Sequence, residues 1–327
     1  MEPTDNAIQA HRVAISGLGW AAIGVLSFSG TLPATVFALR GFDPLVVGAG
    51  RSVIGAAVAG TVLLLTARRL PPRRQLPLLL LVALGCGVGF GVLSALALHR
   101  VSASHAAVVI GLLPVCTAAA AVLVGGERPS PLFWMSSFAG AVVVIGFALS
   151  QGAGSLEGAD MLLLLALVVA AIGYAAGGRL AREIPGREVA AWGLVLALPL
   201  SLPLALTALF ASSTHPGPAP IAGLLYVSVI SIFVGFIPWY RGMAVSGIAK
   251  ASQVQQLQTF LTVGWAMWLL GERPGPAIWI AALLVALCVA SSVRARFVSR
   301  PAGSSFLLVA GGDRASTADI VAPHGAG

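Results

Sequence analysis

Apolar residues follow one another in runs of about twenty along most of this chain, broken by short polar joints. Such runs are too long for buried strands, and about 20 apolar residues is what a helix needs to cross a bilayer. The joints divide the chain into ten expected spans: 14–39, 44–67, 75–98, 101–124, 131–150, 161–178, 189–210, 221–240, 251–270 and 275–293. The sixth ends in Gly177, Gly178 and Arg179, and the seventh contains Pro199 and Pro203. Proline is tolerated in a membrane helix where neighbours satisfy the carbonyls it frees. Residues 1–13 form a short polar lead. Residues 294–327, rich in Gly, Ser and Ala, read as a disordered tail. The expected fold is therefore all-α and integral to a membrane.

One polar joint occurs twice. Gly-Glu-Arg-Pro-x-Pro-x-x-Trp runs from Gly126 to Trp134 and again from Gly271 to Trp279, each time between two long apolar stretches. The duplication divides the chain into two five-span units, 14–150 and 161–293, joined by a Gly- and Ser-rich linker over 151–160. Five is odd, so the second unit starts from the opposite side of the membrane. The units are then inverted about a pseudo-two-fold axis in the membrane plane, with a central cavity between them.

Composition agrees with lipid as the solvent. Of 327 residues, 58% are hydrophobic and only 9% charged, against about 25% charged in soluble domains. The net charge of +8 would attract nucleic acid in a soluble protein. Here, though, the basic residues sit in short loops. With the N-terminus cytoplasmic, 15 Lys and Arg fall in cytoplasmic segments and 3 (Arg40, Arg100 and Arg273) outside, with Arg51 inside a span. This bias puts both termini in the cytoplasm of a multi-pass cell-membrane protein and excludes nucleic acid as a partner. The three cysteines lie in apolar stretches without a C-x-x-C pattern, so no metal, cofactor or disulfide is implied.

The repeat from Ala103 to Ala148, with Pro114 in mid-helix and Gly126-Glu127-Arg128 at its close, resembles the EamA-like domain of the drug/metabolite transporter superfamily; Ile248 to Ser291 resembles it a second time. Arg51 matches an arginine common in the second span of that family. The resemblance implies a ten-helix secondary carrier, often a metabolite or amino-acid exporter. Thr259 stands where Pro114 has its counterpart, so the ninth helix lacks the usual proline and is expected to flex differently.

Candidate site residues follow from polarity inside apolar runs. The ninth span opens with Ser252, Gln253, Gln255, Gln256, Gln258 and Thr259. At 100° per residue Ser252, Gln255, Thr259 and Thr262 share a stripe flanked by Gln256. Amides there face protein or a wet cavity, as substrate-lining groups or as interhelical glue. Arg51 either snorkels to the outer headgroups or faces the cavity, where its guanidinium can hold a carboxylate or phosphate. Trp20 and Tyr174 offer aromatic walls. Glu127, Arg128, Glu272 and Arg273 read as structural hairpins or as gating groups, each Glu bonding the start of the helix after it. His105 begins a span, either as an interface anchor or as the candidate for proton coupling. Gly85/Gly89 and Gly87/Gly91 match small-xxx-small helix packing.

No Asp or Glu lies near the middle of an expected span. Intramembrane carboxylates are the usual ion relays and the usual partners of permeant cations. A neutral, zwitterionic or anionic small molecule, such as an amino acid, is the expected substrate, moved outward by alternating access by a monomer or homodimer in the lipid bilayer. An integral membrane enzyme lacks its motifs here; a channel or scaffold subunit is the other alternative.

Overall fold

The computed structural model describes residues 3–66, 70–125, 131–151, 158–212 and 216–294. Among these residues every regular element is a helix. In chain order the helical segments are α1 (Pro3–Ser29, resuming over Thr31–Leu39), α2 (Pro44–Leu65), α3 (Arg73–Leu98), α4 (Ala103–Ile110, then Leu113–Gly125), α5 (Pro131–Gln151), α6 (Gly158–Leu180), α7 (Gly186–Ala211), α8 (Pro218–Ser246), α9 (Ile248–Val254, then Gln256–Leu270) and α10 (Pro276–Arg294). Seven of them, α1–α4 and α6–α8, are long and apolar enough to cross a membrane. Helices α5 and α10 contain shorter apolar stretches, Phe138–Phe147 and Pro276–Cys288. Large apolar side chains point away from the bundle, with Leu64, Leu123 and Phe210 each more than 80% exposed. Water does not tolerate such a surface, and lipid does.

Local sequence accounts for the starts and stops. Pro44 occupies the first turn of α2, where its missing N–H costs nothing, and the Asp43 carboxylate accepts from the Leu45 N–H at 2.8 Å. Ser102 caps α4 by accepting from the His105 N–H at 3.1 Å. At the end of α9 the chain turns out through Gly271 at φ 70°, a left-handed conformation that suits glycine.

Irregularities recur at matching places in the two halves. α3 widens into a π-helix over Ala83–Gly89, and α8 does so over Tyr226–Val234. α4 breaks between Ile110 and Leu113, and α9 breaks at Gln255. Pro114, in the first turn after the α4 break, explains that one. The α9 break forms without proline: Gln255 N–H donates to Ser252 O at 3.1 Å and Gln258 N–H to Gln255 O at 2.9 Å, three-residue bonds that tighten the turn. Lack of the proline therefore does not leave α9 continuous. The α1 break at Gly30 is different. Pro33 cannot donate to the Ser29 carbonyl one turn back, and the Thr262 hydroxyl of α9 donates to it instead at 2.8 Å. Thr262→Val should strand that carbonyl and cost about 1–3 kcal/mol, read as a lower Tm in detergent; an unchanged Tm would show that Ser29 does not depend on Thr262.

Packing repeats when the halves are exchanged. α1 lies on α8 as α6 lies on α3, and α1 meets α9 as α6 meets α4. Pairs α2–α7, α4–α9 and α5–α10 join counterparts directly. The α9 end lies against the start of α4, because Glu272 bonds Ala103 and Ser104 there.

Candidate functional site

A pocket opens where both halves meet. Its walls come from Phe28 and Thr31 of α1, Arg51 of α2, Cys86 and Phe90 of α3, Leu113 of α4, Ala170 and Tyr174 of α6, Ser231 and Phe236 of α8, and Gln258 of α9. The broken or widened turns of α1, α3, α4, α8 and α9 all border it or its neighbour. A π-turn re-aims side chains relative to a regular helix, which is how Cys86 and Ser231 come to face inward. Four of the eleven wall residues are aromatic, Phe28, Phe90, Tyr174 and Phe236, and Trp239 packs beside them. Phe28 and Phe236 have centroids 4.9 Å apart, and Tyr174 stands 5.6 Å from Phe236 and 5.5 Å from Trp239. Thr31 and Ser231 satisfy each other across the halves at 2.7 Å.

Arg51 is the charged group of this wall. It is only 3% exposed, its Nε and Nη1 have no hydrogen-bond partner, and its guanidinium carbon lies 5.8 Å from the Phe90 centroid. Among the described residues no carboxylate pairs with it. Gly91 lets it in: a Cβ there would stand 3.0 Å from the Arg51 Cδ. Its neighbour Ser52 donates to the Gly87 carbonyl, tying α2 to the π-turn of α3.

A second pocket shares Leu113 and Gln258 with the first and lies between the broken helices α4 and α9. Gln255, Gln258, Thr259 and Thr262 line it from α9. Neither amide atom of Gln255 is bonded, and Gln258 Oε1 is also without a partner. An unbonded buried amide costs more than 1 kcal/mol, so these are the groups of the second pocket with capacity to bond a water or a solute.

Of the residues expected at the site, Arg51 and Tyr174 lie in the first pocket and Gln255 and Thr259 in the second. Three lie in neither. Ser252 is buried and donates to Ala249 O at 2.9 Å within its own helix. Gln256 is half-buried outside both pockets; the face that counts is Gln255, Gln258, Thr259 and Thr262, spaced i, i+3, i+4 and i+7, so that Gln258, one of the polar residues opening the span, takes the place expected for Gln256. Trp20 sits under the Arg241 guanidinium at 4.2 Å, away from the cavity wall.

The helix ends carry polar ties between the halves. Glu272 does not bond the helix after it: its Oε1 and Oε2 accept from the Ala103 and Ser104 N–H groups of α4 at 2.9 and 3.0 Å. Two free amides and the positive end of the helix dipole favour that carboxylate. Arg273 is exposed beside it. One residue further along α4, His105 Nε2 lies 2.7 Å from Asp160 Oδ1, both side chains buried, with the Phe147 ring 5.1 Å away. His105 is thus buried against a partner from the other half. Asp160, expected in the linker, falls inside α6, which begins at Gly158. At the far end of the bundle Arg179 Nη1 donates to Val124 O at 2.6 Å, Gln75 Nε2 donates to Glu183 at 3.4 Å, and Arg74 approaches Glu183 at 3.8 Å. Glu127 and Arg128 lie outside the described residues.

Comparison with known proteins agrees with this architecture. A crystal structure of another protein, 20% identical, superposes with a TM-score of 0.62 and covers 85% of this chain and 98% of its own, which is a likeness of fold. A Bacillus subtilis (strain 168) protein described as "Uncharacterized transporter YdeK" is 45% identical over 278 residues, 84% of this chain and 97% of its own length. A Streptantibioticus cattleyicolor protein described as "Probable terminal-alkyne amino-acid exporter" is 27% identical over 81% of this chain and 89% of its own. The model of the EamA-like transporter family matches twice, over residues 15–150 and 158–294. With both halves matched and its apolar helices long enough to cross a bilayer, the chain is a multi-pass membrane protein belonging to the EamA-like transporter family.

Proposed function

We propose that this protein is a secondary carrier of ten membrane-crossing helices, arranged as two inverted five-helix halves, 14–150 and 161–293. It exports small neutral, zwitterionic or anionic metabolites across the cell membrane by alternating access, with both termini in the cytoplasm. The observation that carries this reading is the pair of adjoining pockets walled by both halves, lined by Arg51 and Gln258 in the first and by Gln255 and Gln258 in the second, each residue with unbonded buried polar atoms. Buried polar atoms left open in a membrane bundle mark a solute path. The repeated packing and the family match to both halves support the duplicated design. The relatives described as transporters support transport in general; outward movement and an amino-acid-like solute are our reading, suggested by the 27%-identical relative described as a "Probable terminal-alkyne amino-acid exporter".

Alternating access needs two ends that open in turn. Each end is held across the halves by a few breakable polar contacts: Glu272 with α4 and His105 with Asp160 at one, Arg179 with Val124 and Glu183 with Arg74 and Gln75 at the other. Opening one end exchanges these bonds for bonds to water, a change of about 1 kcal/mol per bond, small enough for a solute to bias. His105 and Asp160, buried together 2.7 Å apart at one gate, are the proposed site of coupling to protons.

Protein reconstituted in liposomes should show saturable flux of an amino acid or organic anion, and Gln255→Ala should lower it about tenfold through loss of polar contacts while the variant still inserts. Linear, unsaturable flux would mean a channel; wild-type flux by Gln255→Ala would remove the second pocket from the path. A reporter fused after Arg74 should read as cytoplasmic and one after Gly154 as external, and swapped readings would overturn the orientation.

A further inference from the structure

Resting on the carrier reading, we propose that the first pocket selects monocarboxylates with an aromatic or branched apolar body, gripped by Arg51, and that an amino group on the solute is dispensable. The charge on the wall argues for the carboxylate. Arg51 lines the pocket, its buried Nε and Nη1 are unbonded, and a guanidinium fork matches the two oxygens of a carboxylate. The same wall argues against an ammonium. Among the described residues that line the pocket none is acidic, so a solute ammonium would be buried without a counter-ion and beside the like charge of Arg51. A phosphate monoester or dicarboxylate carries a second negative charge, for which the lining offers no second cation.

The remaining surface decides the body of the solute. Phe28, Phe90, Tyr174 and Phe236 give ring faces and edges on several sides, which suit an aryl or branched alkyl group once the halves part, since the pocket as it stands, about 20 Å³, has room for little more than a water. Beside Arg51 the polar groups of the lining are the Thr31 and Ser231 hydroxyls, which bond each other, the Cys86 thiol, which donates to Ala170 O, the Tyr174 hydroxyl and, at the border of the two pockets, the unbonded Gln258 Oε1. That last oxygen accepts a hydrogen bond from a neutral hydroxyl or amide as readily as from an amine. Zwitterionic amino acids then remain ligands through their carboxylate, and their deaminated counterparts bind at least as well.

The test is thermal stabilisation of the full chain in detergent by phenylpropionate, its neutral amide, phenylalanine and phenethylamine at equal concentrations. Phenylpropionate and phenylalanine should raise Tm, with phenylpropionate the stronger, and the amide and phenethylamine should need at least about tenfold more ligand. Arg51→Lys, a point charge without the fork, should weaken phenylpropionate about tenfold, and Arg51→Gln should remove its effect. Equal stabilisation by phenethylamine or by the amide, unchanged binding in Arg51→Gln, or no stabilisation by phenylpropionate overturns the proposal. The wild-type series decides even if Arg51→Gln does not fold. Liposome counterflow separates this site from the carrier reading: binding of phenylpropionate without flux sinks the carrier and leaves the site, whereas flux of other solutes without carboxylate binding does the reverse.

Discussion

Arg51→Met should cut flux of an anionic or zwitterionic solute by about 30-fold or more and at the same time raise the melting temperature of the protein. The two effects come from one fact: the guanidinium is buried at 3% exposure with Nε and Nη1 unbonded. The charge is shielded from bulk solvent, with the Phe90 ring centroid 5.8 Å from its guanidinium carbon and no carboxylate among the described residues paired with it. Burying an ion costs several kcal/mol, and an apolar replacement of similar length keeps the packing without that cost. In the loaded carrier the charge is matched by the solute, and truncating one member of a buried charge pair costs about 2–5 kcal/mol. At 1.4 kcal/mol per tenfold, the lower end already gives about 30-fold. A structural arginine would behave in the opposite way, with stability falling and flux following it down. Flux and Tm measured on the same preparation therefore separate the two roles. A variant that loses Tm and flux together would remove Arg51 from the solute path.

The duplicated family domain was legible from the Gly-Glu-Arg-Pro joint because that joint is a local string, and so were most helix limits, because they follow from where apolar runs stop. What escaped the sequence was long-range. Asp160 stands one residue before an apolar run, in a stretch of Gly and Ser, and nothing local distinguishes it from a loop acid. Its partner His105 is 55 residues away. Glu272 has an obvious helix start just after it, yet it caps a helix that begins 169 residues earlier. Both contacts depend on how the halves lie against each other. The π-turns were equally silent. Neither Ala83–Gly89 nor Tyr226–Val234 contains proline, and the widening is fixed by packing against α6 and α7 in one half and against α1 and α2 in the other. Gln258 is a different case, taking the place expected for Gln256. It shares the i, i+3, i+4, i+7 face with Gln255, Thr259 and Thr262, so the spacing contained it. Trp20 shows the limit of residue type as evidence: an aromatic ring in a span serves a cavity or an arginine at a helix end, and here it is Arg241.

The largest structural effect is expected from Gly85→Val. In the π-turn of α3, a Cβ on Gly85 would stand 2.3 Å from the Val169 carbonyl oxygen and 3.1 Å from the Cα of Gly173, both on α6. Most overpacked sites yield because a side chain swings aside, at about 1–3 kcal/mol. Here the obstacle is main chain, and the reciprocal position offers no relief, since a Cβ on Gly173 would meet Cys86 Sγ at 2.5 Å. α3 and α6 therefore have to separate, and a cost of about 3 kcal/mol or more is expected, seen as loss of the folded fraction in detergent. Gly50→Ala, with nothing within 4 Å of the new Cβ, is the control and should keep its Tm. The consequence reaches the site because Cys86, the next residue, and Phe90, in the following turn, both line the Arg51 pocket. A milder Gly85→Ala that still folds should thus lose solute binding out of proportion to its loss of stability, since the wall that faces the guanidinium moves with α3. If Gly85→Val folds and transports as the wild type does, the close approach of α3 and α6 is not what holds that wall in place.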